Sequence, residues 1–176
     1  IDGLKPAQRK VLYGCLRKKL GKGEEMKVVQ LAGYIAEQTA YHHGDTSLHA
    51  TIINMAQDFV GANNLPLLTA GGQFGTRAKG GNDFASPRYI FTGLSPLARL
   101  LFPEEDDAQL DYNREDDQEV EPVFFIPILP TLLVNGSYGI GTGWSTTIPS
   151  YNPVDIINNL KSLLECEDND ITPMNP

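Results

Sequence analysis

Apolar residues recur at helical spacing over four stretches of this 176-residue chain. Over residues 4–20, Val11, Leu12, Cys15, Leu16 and Leu20 share one face. Pro6 suits the first turn, where its missing N–H leaves no bond unmade. Gly21 and Gly23 break that pattern. Residues 26–40 repeat it with Val28, Val29, Leu31, Ala32, Ile35 and Ala36. Gly44-Asp45-Thr46-Ser47 reads as a start signal with Asp45 as N-cap, followed by a helix over about residues 46–60 carrying Leu48, Ile52, Ile53, Met55, Ala56 and Phe59. A fourth helix is expected over 153–165, with Pro153 near its start and Val154, Ile156, Ile157, Leu160, Leu163 and Leu164 apolar.

Other periods separate these helices. Residues 65–93 are glycine-rich and predict a hairpin-like segment. Residues 104–121 are acidic and poor in apolar side chains, so an exposed loop or hairpin tip is expected. Phe124 to Val134 is apolar, but the wider run 122–130 holds three prolines, which predicts a short or irregular buried strand. The tail from Glu167, with Pro173 and Pro176, reads as frayed. The Lys18–Glu25 connector reads as a variable linker apart from any chemistry. Three helices with tight breaks followed by a glycine-rich hairpin form a helix-turn-helix with a wing, in which the third helix and the wing approach DNA. The fold class expected is therefore α+β, a winged-helix domain over residues 1–127 with a second domain starting at 128–176.

A net charge of −8 argues against a polyanionic partner only as an average. Up to Pro103 the chain carries twelve basic and seven acidic residues, a net +5; beyond it Arg114 and Lys161 face fifteen carboxylates, a net −13. The first part suits a polyanion and the second does not. Cys15 and Cys166 stand far apart with no partner motif, so neither disulfide nor zinc site is expected, which fits a reducing compartment. No stretch approaches a membrane span or a signal peptide. The chain begins at Ile1 and its motifs begin at once, so a piece of a longer polypeptide is expected.

The chemistry concentrates at Arg88-Tyr89, which closes the cationic run from Gly72 to Pro87. A phenol is a weak nucleophile at neutral pH, with a pKa of about 10. A fixed guanidinium beside it favours the phenolate and stabilises charge on a phosphorus under attack. Gly72–Gly81 is not a nucleotide-binding P-loop, since no Gly-Lys-Ser/Thr follows. Gly139-Ile140-Gly141-Thr142-Gly143 resembles half a dinucleotide fingerprint, but Pro149 and Pro153 stand where its helix should run. His42-His43 has no Cys, Asp or Glu at metal spacing. Asp106-Asp107 and Asp116-Asp117 read as solvated loop residues rather than a cation site. Lys5 and Arg9 lie one turn apart on the first helix.

Several motifs in register carry a family resemblance. They are Ile1-Asp2-Gly3-Leu4-Lys5-Pro6-Ala7-Gln8-Arg9-Lys10-Val11-Leu12-Tyr13, Tyr41-His42-His43-Gly44, Thr51–Gly61, Gly72-Gln73-Phe74-Gly75-Thr76-Arg77, Ser86-Pro87-Arg88-Tyr89-Ile90, and Asn135-Gly136 followed by Gly139–Trp144. From Ile1 to about Pro153 the chain resembles the DNA breakage-reunion region of type IIA DNA topoisomerases. The double histidine and the Gly-Ile-Gly-Thr-Gly-Trp block resemble the eukaryotic branch more than the bacterial gyrase or topoisomerase IV proteins of the same type.

The resemblance implies that Tyr89 attacks a DNA phosphorus and becomes 5′-phosphotyrosine-linked, with Arg88 steadying the transition state and His43, more directly than His42, near the scissile phosphate. It implies phosphate contacts at Lys5, Arg9, Lys10, Arg77 and Lys79, and an apolar wedge at Ile140 that unstacks and bends the duplex. It implies that the second domain is the start of a mixed α/β tower. It implies double-stranded DNA as partner, a homodimer with one tyrosine per strand, and a nuclear location. Mg²⁺ and ATP would be bound outside this chain, by upstream metal-binding (Toprim) and ATPase regions, leaving the isolated piece weak or inactive in cleavage. The competing readings are a non-enzymatic winged-helix DNA-binding module, a bacterial-type gyrase or topoisomerase IV, and an interaction scaffold using the acidic second part.

Overall fold

Leu12, Leu31, Ile35, Leu48, Ile52 and Ile53 are fully buried and form the centre of the core. They come from three helices, α1 (Pro6–Arg17), α2 (Val28–Gln38) and α3 (Asp45–Ala56), each packed on the other two. The computed structural model describes residues 1–21, 23–166 and 170–176. The helices are shorter than their periodic patterns at nearly every end. Gly44, not Asp45, is the N-cap, with φ +85°, and Asp45 is the first helical residue. An N-cap at positive φ suits a glycine, which has no Cβ to clash, and a carboxylate in the first turn complements the helix dipole. The α1–α2 contact depends on Gly14, where a Cβ would stand 2.7 Å from Ile35 Cγ1.

The glycine-rich segment is a hairpin only at its base. Strand β1 (Met26–Lys27) pairs antiparallel with β2 (Phe91–Thr92), Met26 opposite Thr92 and Lys27 opposite Phe91. Gly71 exchanges both backbone bonds with Phe91 at 2.8 Å, and Leu68 bridges to Leu94. Between these closures the loop is irregular, with one 3-10 turn at Arg77–Lys79.

Beyond it come α4 (Ala98–Leu101) and a 3-10 turn at Glu104–Gln109. The acidic stretch then forms a hairpin, β3 (Tyr112–Glu115) with β4 (Gln118–Pro122). Its tip is Asp116-Asp117, at φ +48° and +63°. Two left-handed residues at a two-residue tip are what a twisted hairpin needs, and Asp tolerates them. The acidic pair therefore serves the turn.

The Phe124–Val134 run is not a strand. It runs irregularly to Pro130 and then forms α5 (Thr131–Asn135). A second hairpin follows, β5 (Ser137–Gly141) with β6 (Trp144–Ile148), then α6 (Pro153–Glu165), whose N-cap Asn152 accepts from Val154 N–H at 2.9 Å. Glu167–Asn169, expected to fray, lie outside the described residues, as does Lys22 of the connector. Thr172 beyond them is tied back, since Asn159 donates to its carbonyl and accepts from its N–H, both at 2.9 Å. No described helix is long and apolar enough to cross a membrane.

Many bonds cross the expected boundary at 127/128. Thr131 Oγ1 donates to Asp2 O at 2.7 Å, and Asn135 pairs its side-chain amide with both backbone groups of Leu65 at 2.9 and 3.0 Å. Residues 131–135 are thereby fixed to the helical part.

Candidate active site and nucleic-acid interface

Arg88 and Tyr89 sit in a tight turn closed by Tyr89 N–H to Ser86 O at 2.9 Å. That turn is fastened to the start of α2. Val28 N–H donates to Ile90 O at 3.1 Å and Val29 N–H to Pro87 O at 3.2 Å. Two of the orphan donors at the helix N-terminus are thus satisfied by carbonyls on either side of Arg88-Tyr89. Ile90 is buried beneath, while Tyr89 is 76% exposed and Arg88 exposed beside it. Among the described residues neither side chain has a polar partner. The phenol is held on a fixed backbone, turned to solvent and free of competing bonds among the described residues.

The loop bearing Arg77 and Lys79 is built as firmly. Gln57, just past α3, is buried and donates to Phe74 O at 2.8 Å and Gly81 O at 2.9 Å. Thr76 donates to Asp83 through both N–H and Oγ1 at 2.7 Å. These bonds, the Oγ1 bond first, hold the Asp83 carboxyl below its ordinary range. At Gly75, with φ +98°, a Cβ would stand 2.4 Å from Gly81 O, so only glycine fits. Arg77 and Lys79 project from this frame, both exposed.

The histidines lie elsewhere. Tyr89 flanks the N-terminus of α2, whereas His42 and His43 follow its C-terminus. An 11-residue helix spans about 16 Å, so no direct contact between Tyr89 and either histidine arises within one chain. His43 is exposed and packs edge-on against Tyr41, ring centroids 5.5 Å apart. His42 Nε2 stands 4.0 Å from Glu115 Oε2.

The three basic residues expected to contact phosphate from the first helical segment divide. Lys5 is exposed at the N-cap. Arg9 is engaged with Asp2, Nε and Nη2 each donating at 3.0 Å, and Nη2 also reaches Leu4 O at 2.8 Å. Lys10 requires a correction, because its ammonium is turned inward. It donates to Thr39 O at 2.7 Å and Glu121 Oε2 at 2.8 Å, with Glu115 Oε1 at 3.4 Å, and the residue is only 8% exposed. A buried cation with all three donors engaged has no face left for a phosphate.

Asp2 carries no signal of its own in the sequence, yet it organises this corner. It is 4% exposed and accepts from Leu4 N–H, Phe125 N–H and Arg9. Burial alone would raise its pKa, but the Arg9 bond and the two backbone N–H groups outweigh it and hold the carboxyl below the ordinary range. A depressed carboxyl contributes stability that is fully present above the unfolded-state pKa of about 3.9 and is lost as pH falls through the folded-state value. Amide exchange at Leu4 and Phe125, corrected for its intrinsic pH dependence, is expected to lose protection below about pH 4. Asp2→Asn should remove that acid step; an unaltered step would assign it to another carboxyl.

Ile140 lies near the tip of the β5–β6 hairpin and is 75% exposed. It stands on a regular antiparallel ladder, running from Ser137 opposite Ile148 to Gly141 opposite Trp144. Trp144 is 85% exposed on the other face.

Among the described residues no three His, Cys, Asp or Glu side chains are grouped to hold a metal ion. Asp107 is bonded to Arg99 at 3.2 Å, and Asp116-Asp117 form the hairpin tip.

The fold and these motifs define a type IIA topoisomerase breakage-reunion region. Over residues 1–176 the chain matches the family of DNA gyrase/topoisomerase IV A-type subunits, and it belongs to that family. Its relatives favour the eukaryotic branch. DNA topoisomerase 2 of Arabidopsis thaliana is 57% identical over 176 residues, 100% of this chain and 12% of that protein. DNA topoisomerase 2-alpha of Rattus norvegicus is 57% identical over 168 residues, 96% of this chain and 11% of that protein. A mitochondrial DNA topoisomerase 2 of Dictyostelium discoideum is 59% identical over 160 residues, 91% of this chain and 12% of that protein. The crystal structure of the Plasmodium falciparum topoisomerase II DNA-binding, cleavage and re-ligation domain superposes with a TM-score of 0.95 at 54% identity, covering 99% of this chain and 23% of that one. The chain thus spans only 11% to 12% of the length of these curated relatives.

Proposed function

We propose that this chain supplies the tyrosine half of a DNA cleavage and re-ligation site in an ATP-dependent type II topoisomerase. The Tyr89 oxygen attacks a backbone phosphorus, and the bond from that phosphorus to the 3′-oxygen breaks. The phenol loses its proton and the departing 3′-oxygen gains one. The product is a 5′-phosphotyrosine ester and a free 3′-hydroxyl, so the step reverses without an energy source. Arg88 steadies the charge on the phosphoryl oxygens. Lys5, Arg77 and Lys79 meet phosphates, Ile140 enters the base stack, and His43 and His42, about 16 Å along α2 from the Tyr89 turn, meet the backbone beyond the phosphate that the Tyr89 of their own chain attacks. Arg9 acts mainly through Asp2. Two strands require two Tyr89 residues, hence a homodimer, and a second duplex passes through the paired breaks.

The observation that carries this reading is the exposed Arg88-Tyr89 turn bonded by its backbone to the first turn of α2. A non-enzymatic module gives no reason to hold an unpartnered phenol there. A winged helix over residues 1–127 and the start of a tower at 128–176 belong to the same proposal, with Thr131 and Asn135 bonded across that boundary to Asp2 and Leu65. Mg²⁺ would supply charge stabilisation from an acidic domain elsewhere in the polypeptide, and ATP would bind further upstream. The eukaryotic relatives support a nuclear location, although the Dictyostelium protein's name shows that likeness in this stretch does not decide the compartment.

The test uses the full-length protein with duplex DNA and Mg²⁺, stopped by denaturant. Mass spectrometry should find the attached nucleotide on Tyr89. Attachment at another residue, or none, would overturn the reading. In the same assay Arg88→Ala should lower cleavage about 10²- to 10³-fold while DNA affinity changes little. Equal losses in both would make Arg88 a docking residue only.

A further inference from the structure

The β5–β6 register sorts the hairpin into two unlike faces. Tyr138 stands opposite Thr147 and Ile140 opposite Ser145, so these four side chains share one face. Gly139, Gly141, Trp144 and Thr146 share the other. Ile140 therefore does not stand alone. Tyr138 lies two residues back on the same strand face, about 6.8 Å away, which is on the order of two nucleotide steps along one DNA strand. It is 54% exposed.

That face runs into a groove of about 370 Å³ lined by Tyr138 and Thr147 together with Lys5, Gln8 and Asn63. Lys5 is its exposed cation. Among the described residues the one carboxylate on its wall, Asp2, is already neutralised by the two bonds from Arg9. An open groove with an ammonium, a phenol, a hydroxyl and the Gln8 amide, and no free negative charge among the described residues, fits a phosphodiester.

We propose that Tyr138 is a DNA-contacting residue, its hydroxyl and the Lys5 ammonium gripping one stretch of phosphate backbone in this groove while Ile140 sits in the adjacent base step. The proposal rests on the DNA-cleaving reading of the chain. It gives the wedge a depth stop, because a backbone held at Tyr138 fixes how far the hairpin tip enters. A neutral hydroxyl and a charged ammonium leave different signatures. Loss of the ammonium removes one released counterion, whereas loss of the hydroxyl removes none.

The experiment measures binding of the full-length protein to a 2-aminopurine-labelled duplex across a range of salt. Tyr138→Phe should weaken binding about three- to tenfold at fixed salt and leave the slope of log K against log salt unchanged. Lys5→Gln should reduce that slope by about one. The double variant should lose less than the two single losses combined, because both groups serve one stretch of backbone. Unstacking at the labelled step should fall in Tyr138→Phe. Additive losses would overturn the shared grip. Affinity and unstacking within about twofold of the parent in both Tyr138→Phe and Tyr138→Ala would overturn the contact itself. The Tyr89 adduct of the parent protein, trapped from the same preparation, separates failure of this proposal from failure of the cleavage reading.

Discussion

Tyr89→Phe is expected to abolish covalent DNA capture while leaving DNA binding nearly intact. The change removes one oxygen from a side chain that is 76% exposed and has no polar partner among the described residues. Nothing in the fold leans on that hydroxyl. Its turn is held by backbone bonds from Tyr89 to Ser86 and from Val28 and Val29 to Ile90 and Pro87, and phenylalanine keeps all three. The expected loss of adduct is at least about 10³-fold, or roughly 4 kcal/mol in barrier. Affinity should move by less than about threefold, because the attacking oxygen approaches the phosphorus itself and is not one of the hydrogen bonds that dock the backbone. Denaturant-trapped adduct measured beside equilibrium binding checks both halves. Adduct surviving in Tyr89→Phe would place the nucleophile elsewhere. Loss of both adduct and binding would mean that the phenol docks DNA rather than attacks it.

The parts of this site legible in the sequence were those that depend on local pattern. The helical periods located α1, α2, α3 and α6, whereas Arg77, Lys79 and Ile140 were singled out by the family resemblance; these three are exposed, as are Arg88 and Tyr89. What stayed hidden depends on contacts distant in sequence. Asp2 meets Phe125, and Gln57 pins Gly81. Neither pairing has a signature in spacing. The Phe124–Val134 run misled because Phe125 and Val134 are buried while Phe124, Ile126 and Ile128 are exposed, and its backbone bonds to the N-terminus through Phe125 and Leu132 rather than to a ladder. Tyr138 was readable in principle. Once residues 137–141 are a strand, period-two alternation puts Tyr138 beside Ile140, but five residues with two glycines do not announce a strand. The charge split hid contacts of the same kind. The acidic second part, unsuited to a polyanion, pairs with the basic first part, since Glu121 meets Lys10, Asp107 meets Arg99 and Glu104 meets Lys19.

Lys10→Ala is expected to damage stability, and Lys5→Gln to damage DNA binding. The two lysines are five residues apart in one helical segment and carry the same charge, so sequence alone ranks them together. The fold separates them. The Lys10 ammonium stands among Thr39 O, Glu121 and Glu115, and removing it leaves the Glu121 carboxylate, in a residue only 6% exposed, without its cation. Breaking one side of a buried pair costs about 3–5 kcal/mol, because the remaining charge stays desolvated. That is a large share of what holds a domain together. Lys10→Met with Glu121→Leu should recover much of the loss, since an apolar pair of similar volume avoids the desolvation of both groups. Thermal unfolding of the three variants, with salt-dependent DNA binding of each folded protein, decides the matter. The expected result is a lowered melting temperature for Lys10→Ala, partial recovery in the double variant, and a salt slope equal to the parent's in both. A slope reduced by about one in Lys10→Ala, with unchanged melting, would return this lysine to the set of phosphate contacts and show that its inward pose gives way when DNA arrives.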